Sequence, residues 1–156
     1  MTIASKIRST LAVAAAAVAV MTVGLPTAPA DAAVGSMTAN LRVTPVSGQP
    51  GYQWVEVWGN VRMSQTEAQD LINSHHNVVI RLWGEDSFSD DLLMGPDTPA
   101  TWANYDGLRF AIANKVPNSL LNEDWGGDEL YAGVRLVYPN TTTLRSAETN
   151  RVYGSF

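Results

Sequence analysis

The sequence predicts a mainly β chain, an antiparallel β-sandwich with one short helix, and three observations carry that expectation. Apolar and polar residues alternate over 54–63, 78–83, 108–116 and 130–137, the period of a pleated strand with one buried face. Clusters of Gly, Pro, Asn and Asp separate these runs and break any ladder between them. Only one stretch, after Ser64, has helical spacing, and five or six strands with one small helix pack most economically as a sandwich.

The 156-residue chain is not all domain. Lys6 and Arg8 precede an alanine-rich apolar run over 11–23, and Ala28-Pro29-Ala30 or Ala30-Asp31-Ala32 supplies a small-x-small cleavage site. Residues 1–32 therefore read as a secretory signal peptide and the protein as secreted. A membrane anchor needs about 20 apolar residues, and Pro26 and Pro29 come too soon, so no transmembrane segment is expected after cleavage. Residues 33–40 are small and polar and read as a flexible tether, with 41–156 as a single sandwich domain.

The net charge is −5, and loss of the leader, with its two cations and Asp31, makes it one unit more negative. Such a surface does not attract nucleic acid or an anionic membrane by charge. There is no cysteine, which excludes thiolate metal sites, haem attachment, iron–sulfur clusters and cysteine nucleophiles. The alanine-rich leader without cysteine reads as bacterial export, so the Asn140-Thr141-Thr142 sequon is expected to carry no glycan.

In chain order, Leu41 and Val43 alternate with Arg42 and Thr44 into Pro45, a first strand. The 54–63 run puts Val55, Val57, Val61 and Met63 on one face and Trp54, Glu56, Trp58, Asn60 and Arg62 on the other, with Gly59 in the buried row marking a bulge or close crossing. Ser64-Gln65-Thr66-Glu67 has the form of a capping box, followed by Ala68, Leu71 and Ile72 at i, i+3 and i+4. His75 and His76 come at the helix end, where imidazoles can meet the last free carbonyls. The next strand buries Val78, Ile80 and Leu82 and turns Val79, Arg81 and Trp83 outward. Residues 95–107, rich in Pro, Asp and Asn, read as a long loop with at most a brief helical turn near Trp102. Leu108, Phe110, Ile112 and Val116 mark another strand, in which Asn114 lies on the apolar row and needs a hydrogen-bond partner. Leu130, Ala132, Val134 and Leu136 mark the next, and a last alternation over 144–152 closes a sheet.

Two loops concentrate carboxylates: Glu85, Asp86, Asp90 and Asp91 after one strand, and Glu123, Asp124, Asp128 and Glu129 before another. If those strands are antiparallel, both loops emerge at one end of the sandwich. Like charges so close repel unless water or a cation screens them, and calcium, which takes six to eight oxygen ligands, is the cation such a rim would hold. Glu85, Asp86, Asp90, Asp91, Asp124 and Asp128 are the candidate ligands; solvated acidic surface is the plain alternative.

The run LWGEDSFSDDLLMG over 82–95 resembles the third calcium-binding loop of C2 domains. Asp86, Phe88, Ser89 and Gly95 fall on matching positions, with Leu93 and Met94 on the family's apolar pair. Gly84 and Leu92 stand where C2 domains carry two calcium-coordinating aspartates, so the resemblance carries over only Asp86 as a ligand. It covers about fourteen residues and implies a C2-like sandwich more than calcium binding. A helix within the domain is not a usual C2 feature.

A second candidate site is the outward row. Trp54, Trp58, Arg62, Arg81 and Trp83 all lie opposite the expected core, so one sheet could display tryptophan beside arginine and stack sugar rings or a partner's side chains. A layer packed over these side chains is the alternative. No Ser-His-Asp arrangement and no glycine-rich phosphate loop can be argued. A carboxylate pair of a small glycosidase would need a separation of about 5 Å or about 6.5–9.5 Å within a sugar-sized cleft. The expected function is a secreted protein that binds or interacts with a protein or glycan rather than catalyses, with calcium at the acidic rim; the alternative is a carbohydrate-active protein, either a glycan-binding module on the tryptophan–arginine face or a small glycosidase using the loop carboxylates.

Overall fold

A computed structural model describes residues 35–85, 89–122, 128–139 and 142–156. The signal-peptide segment, Asp86, Phe88, Glu123, Asp124 and the sequon's Asn140 and Thr141 lie outside the described residues. The chain runs through β1 (Met37–Pro45), β2 (Tyr52–Arg62), α1 (Gln65–Asn73), β3 (Asn77–Gly84), β4 (Asp91–Asp97), β5 (Ala100–Asn104), β6 (Gly107–Pro117), α2 (Asn118–Leu121), β7 (Asp128–Val137), β8 (Thr143–Glu148) and β9 (Val152–Gly154). One antiparallel sheet has the order β1-β2-β6-β5. The other has the order β4-β3-β7-β8, with β9 beside β8 on the same edge of β7.

The expected alternation decides what lies between the sheets. Leu41, Val55, Val57, Val61, Leu108, Phe110 and Val116 face Val78, Ile80, Leu82, Leu93, Leu130, Ala132, Val134 and Leu136, all buried. Gly59 lies in this inner row without a register break, so it marks a close approach and not a bulge: a Cβ there would overlap the Thr38 carbonyl and the Phe110 ring. Asn114, also on the inner row, finds its partner in Asp97, with Nδ2 3.2 Å from Oδ2.

Along the β5 edge of the first sheet lies α1, packed against β5 and β6 and burying Ala68. Its capping box forms as expected, with the Glu67 amide donating to Ser64 Oγ at 3.2 Å and the Ser64 amide donating to Glu67 Oε2 at 2.7 Å. The C-terminus differs from expectation. Backbone amides close it: His76 N–H donates to Leu71 O at 3.0 Å and His75 N–H to Ile72 O at 3.1 Å, a Schellman motif with His75 at φ 59° in the place glycine usually takes. The His76 ring instead packs on Tyr138, with centroids 4.4 Å apart.

Two expectations are corrected by pairing. Residues 37–40, expected in the tether, form the first half of β1, because the eleven-residue β2 offers them partners from Met37↔Val61 to Asn40↔Trp58. The expected loop over 95–107 contains the end of β4 and all of β5; register shifts in the β3–β4 ladder around Gly95 and Pro96 erase the alternation that would have announced a strand. A second helix, α2, adds one turn after Pro117 and buries Leu121.

At the β1 edge a polar side chain helps to tie the two sheets together. Asn150, in the turn between β8 and β9, accepts from Leu41 N–H at 2.9 Å and donates to Leu41 O at 3.1 Å, so an amide side chain acts as one residue of strand against the edge of β1. Thr149 beside it is buried and accepts from Ala132 N–H at 2.9 Å.

Candidate functional site

Three regions carry the sequence-derived candidates: one end of the sandwich and its two outer faces. At the end, β3 and β7 are adjacent and antiparallel, with Gly84 opposite Leu130 and Glu85 N–H donating to Glu129 O at 2.7 Å. Asp91 opens β4 opposite Gly84. Glu85, Asp90, Asp91 and Asp128 therefore flank the same end, while Asp86 and Asp124 lie outside the described residues.

Part of the charge at this end is met by Arg151. Arg151 Nε lies 2.7 Å from Glu85 Oε2, and its other arm lies 3.3 Å from Glu148 Oε2. The guanidinium stacks 4.7 Å over the Tyr131 ring, whose hydroxyl donates to Asp90 Oδ2 at 2.6 Å. Burial, then the bond to Asp90, pushes the Tyr131 hydroxyl up to about 12, while the carboxylate partners hold Arg151 firmly protonated. Among the described residues no group of three or more His, Asp or Glu side chains is gathered for a metal ion. Sequence reasoning missed Arg151 and Tyr131, because the Arg151–Glu85 contact joins residues 66 apart.

The outward tryptophans and arginines do not form one face. β2 and β3 belong to different sheets, so Trp54, Trp58 and Arg62 lie on one side of the sandwich and Arg81 and Trp83 on the other. The chain changes sheets through α1, and neither strand carries a local signal of that change.

On the β1-β2-β6-β5 sheet, the outer row of β2 continues onto its neighbours. Trp58 lies opposite Ala111, Asn60 opposite Arg109, and Arg109 opposite Trp102 of β5. Trp54, Trp58 and Trp102 are 40, 40 and 44% exposed, with Tyr52 beyond Trp54. Among the described residues no layer covers them. Ala111 and Ala113 lower the floor beside Trp58, leaving a shallow depression edged by Arg42 and Glu56. Arg42 stacks 5.7 Å over the Trp58 ring while bonding Glu56 at 2.7 Å, so a paired cation lies against that indole. Trp102 was missed because its segment read as a loop.

On the β4-β3-β7-β8 sheet, Val79, Arg81 and Trp83 share a face with Gly133, Arg135 and Val137 of β7. With Pro96, Thr98 and Thr143 these residues line a groove of about 410 Å³. Gly133 makes its floor: a Cβ there would stand 3.4 Å from Trp83 Nε1.

No protein-family model matches the chain, and neither a curated protein nor a solved structure matches it.

Proposed function

We propose that this chain is an exported, non-catalytic binding module that takes a glycan across the outer face of its β1-β2-β6-β5 sheet. One observation carries the reading: three indoles, each about two-fifths exposed, stand on one sheet face that no described layer covers, with Ala111 and Ala113 beside Trp58. Monomeric proteins rarely leave large apolar groups contiguous without a ligand or partner for them. Trp54 and Trp58 are four residues apart on one row, about 13 Å at the rise of a strand. Trp102, two strands over and level with Asn60, extends the line diagonally. That geometry suits a chain of pyranose rings, whose apolar faces stack on indoles while Arg42, Glu56, Asn60 and Arg109 meet hydroxyls at the sides. The leader's form supports export, and among the described residues no helix is long and apolar enough to cross a membrane. A glycan array followed by polysaccharide pull-down tests the reading: the wild-type chain binds and Trp58→Ala, at an exposed position, loses binding without loss of fold. An array silent for the wild-type chain contradicts it.

Calcium at the β3–β7 end is a second reading, favoured by the antiparallel pairing that brings the flanks of both acidic loops together. Arg151 already neutralises part of that end, so the ion would be held by the carboxylates Arg151 does not engage. A calcium-dependent rise in melting temperature that Asp91→Asn diminishes supports it; no rise at millimolar calcium removes it.

A further inference from the structure

We propose a second binding site on the opposite face of the sandwich: the groove over β3 and β7, which takes a small organic carboxylate carried on a flat apolar body. The inference is independent of the glycan reading, since it uses none of that face's residues. Its basis is shape, charge and an unmet donor found together.

The shape follows from one missing side chain. In a central strand every outward position normally carries a side chain that fills the sheet surface. At Gly133, between Arg81 on β3 and Glu148 on β8, there is none. The Trp83 indole reaches to the edge of this gap, and Val79, Val137 and Pro96 supply apolar wall around it. The volume of about 410 Å³ falls among sites for small molecules, which run from about 300 to 1,000 Å³.

The charge is positive and unspent. Arg135 lies opposite Val79, two residues along from the Arg81↔Gly133 pair, so the two arginines are diagonal neighbours about 7–8 Å apart at their Cα atoms. Neither is ion-paired with a carboxylate among the described residues. Glu148, the carboxylate next to Gly133 in register, turns to Arg151 instead. In a protein with net charge −5, two adjacent unpaired arginines in one concavity run against the overall balance. Moreover, Arg81 Nε is buried and has no hydrogen-bond partner among the described residues. Such a buried donor is costly unless something completes it. A carboxylate, with two oxygens that match the guanidinium fork, completes it and repels neither arginine. A planar body then lies against Trp83, and Thr98 and Thr143 offer hydroxyls at the rim.

Calorimetric titration with cinnamate and 2-naphthoate, and with cinnamide as the neutral control, tests the site. The carboxylates are expected to bind at least tenfold more tightly than the amide, and more weakly as salt is raised. Arg81→Met, which keeps the apolar stem and breaks no ion pair among the described residues, should weaken cinnamate at least tenfold. Gly133→Val fills the floor with a residue favoured in strands, and should abolish binding while the melting temperature stays native or rises. Silence of both carboxylates, equal binding of cinnamide, or unchanged cinnamate affinity in a folded Gly133→Val protein would each overturn the proposal.

Discussion

Replacing Asn150 with alanine removes a side chain that ties the edge of β1 to the other sheet. Both of its bonds go to Leu41, a residue 3% exposed, and both are of ordinary length, 2.9 and 3.1 Å. Each net hydrogen bond contributes about 1 kcal/mol, and a buried group left unmade costs about 1–3 kcal/mol. Asn150 itself is exposed, so water can enter behind the truncated side chain and recover part of that penalty. The expected loss is about 2 kcal/mol, seen as a lower urea midpoint with unchanged slope and a melting temperature lower by about 8 °C. Asn150→Asp keeps the acceptor for Leu41 N–H but points a second carboxylate oxygen at Leu41 O, so it should cost at least as much at neutral pH. A loss below about 0.5 kcal/mol for Asn150→Ala, or an aspartate variant as stable as the parent, would refute the role assigned to this side chain.

Two further outcomes follow from local geometry. His75→Gly relieves a non-glycine residue at φ 59°, a conformation that costs an L-residue about 1–2 kcal/mol, and should raise the melting temperature by several degrees in a thermal scan. The Tyr131 hydroxyl, pushed up from 10.0 to about 12, binds its proton more tightly folded than unfolded; stability is therefore full below pH 10 and falls as pH rises from 10 through 12, a slope that Tyr131→Phe should flatten in urea titrations at each pH.

Strands that bury one face were legible, because nothing but a period of two explains Val78-Ile80-Leu82 or Leu130-Ala132-Val134-Leu136. The capping box at Ser64 was legible for a similar reason: its two bonds join residues three apart. β5 was not, since Pro99 and Asp106 flank a five-residue strand that ends in Asn104 and has no fully buried side chain to announce it. The outward rows of β2 and β3 were each read correctly, but their joining into one face was not, because sheet membership is decided by distant pairing with β6 and β7. The groove was invisible for the same reason. Gly133 is an unremarked outward glycine until Trp83 and the two arginines are placed around it.

The central claim is that a glycan lies on the β1-β2-β6-β5 sheet, and the five tryptophans report on it residue by residue. In a proton–nitrogen NMR titration with the best array glycan, the indole resonances of Trp54, Trp58 and Trp102 should shift together with one affinity, while Trp83, on the opposite face, stays still. Shifts at Trp83 with the other three unmoved would contradict the account.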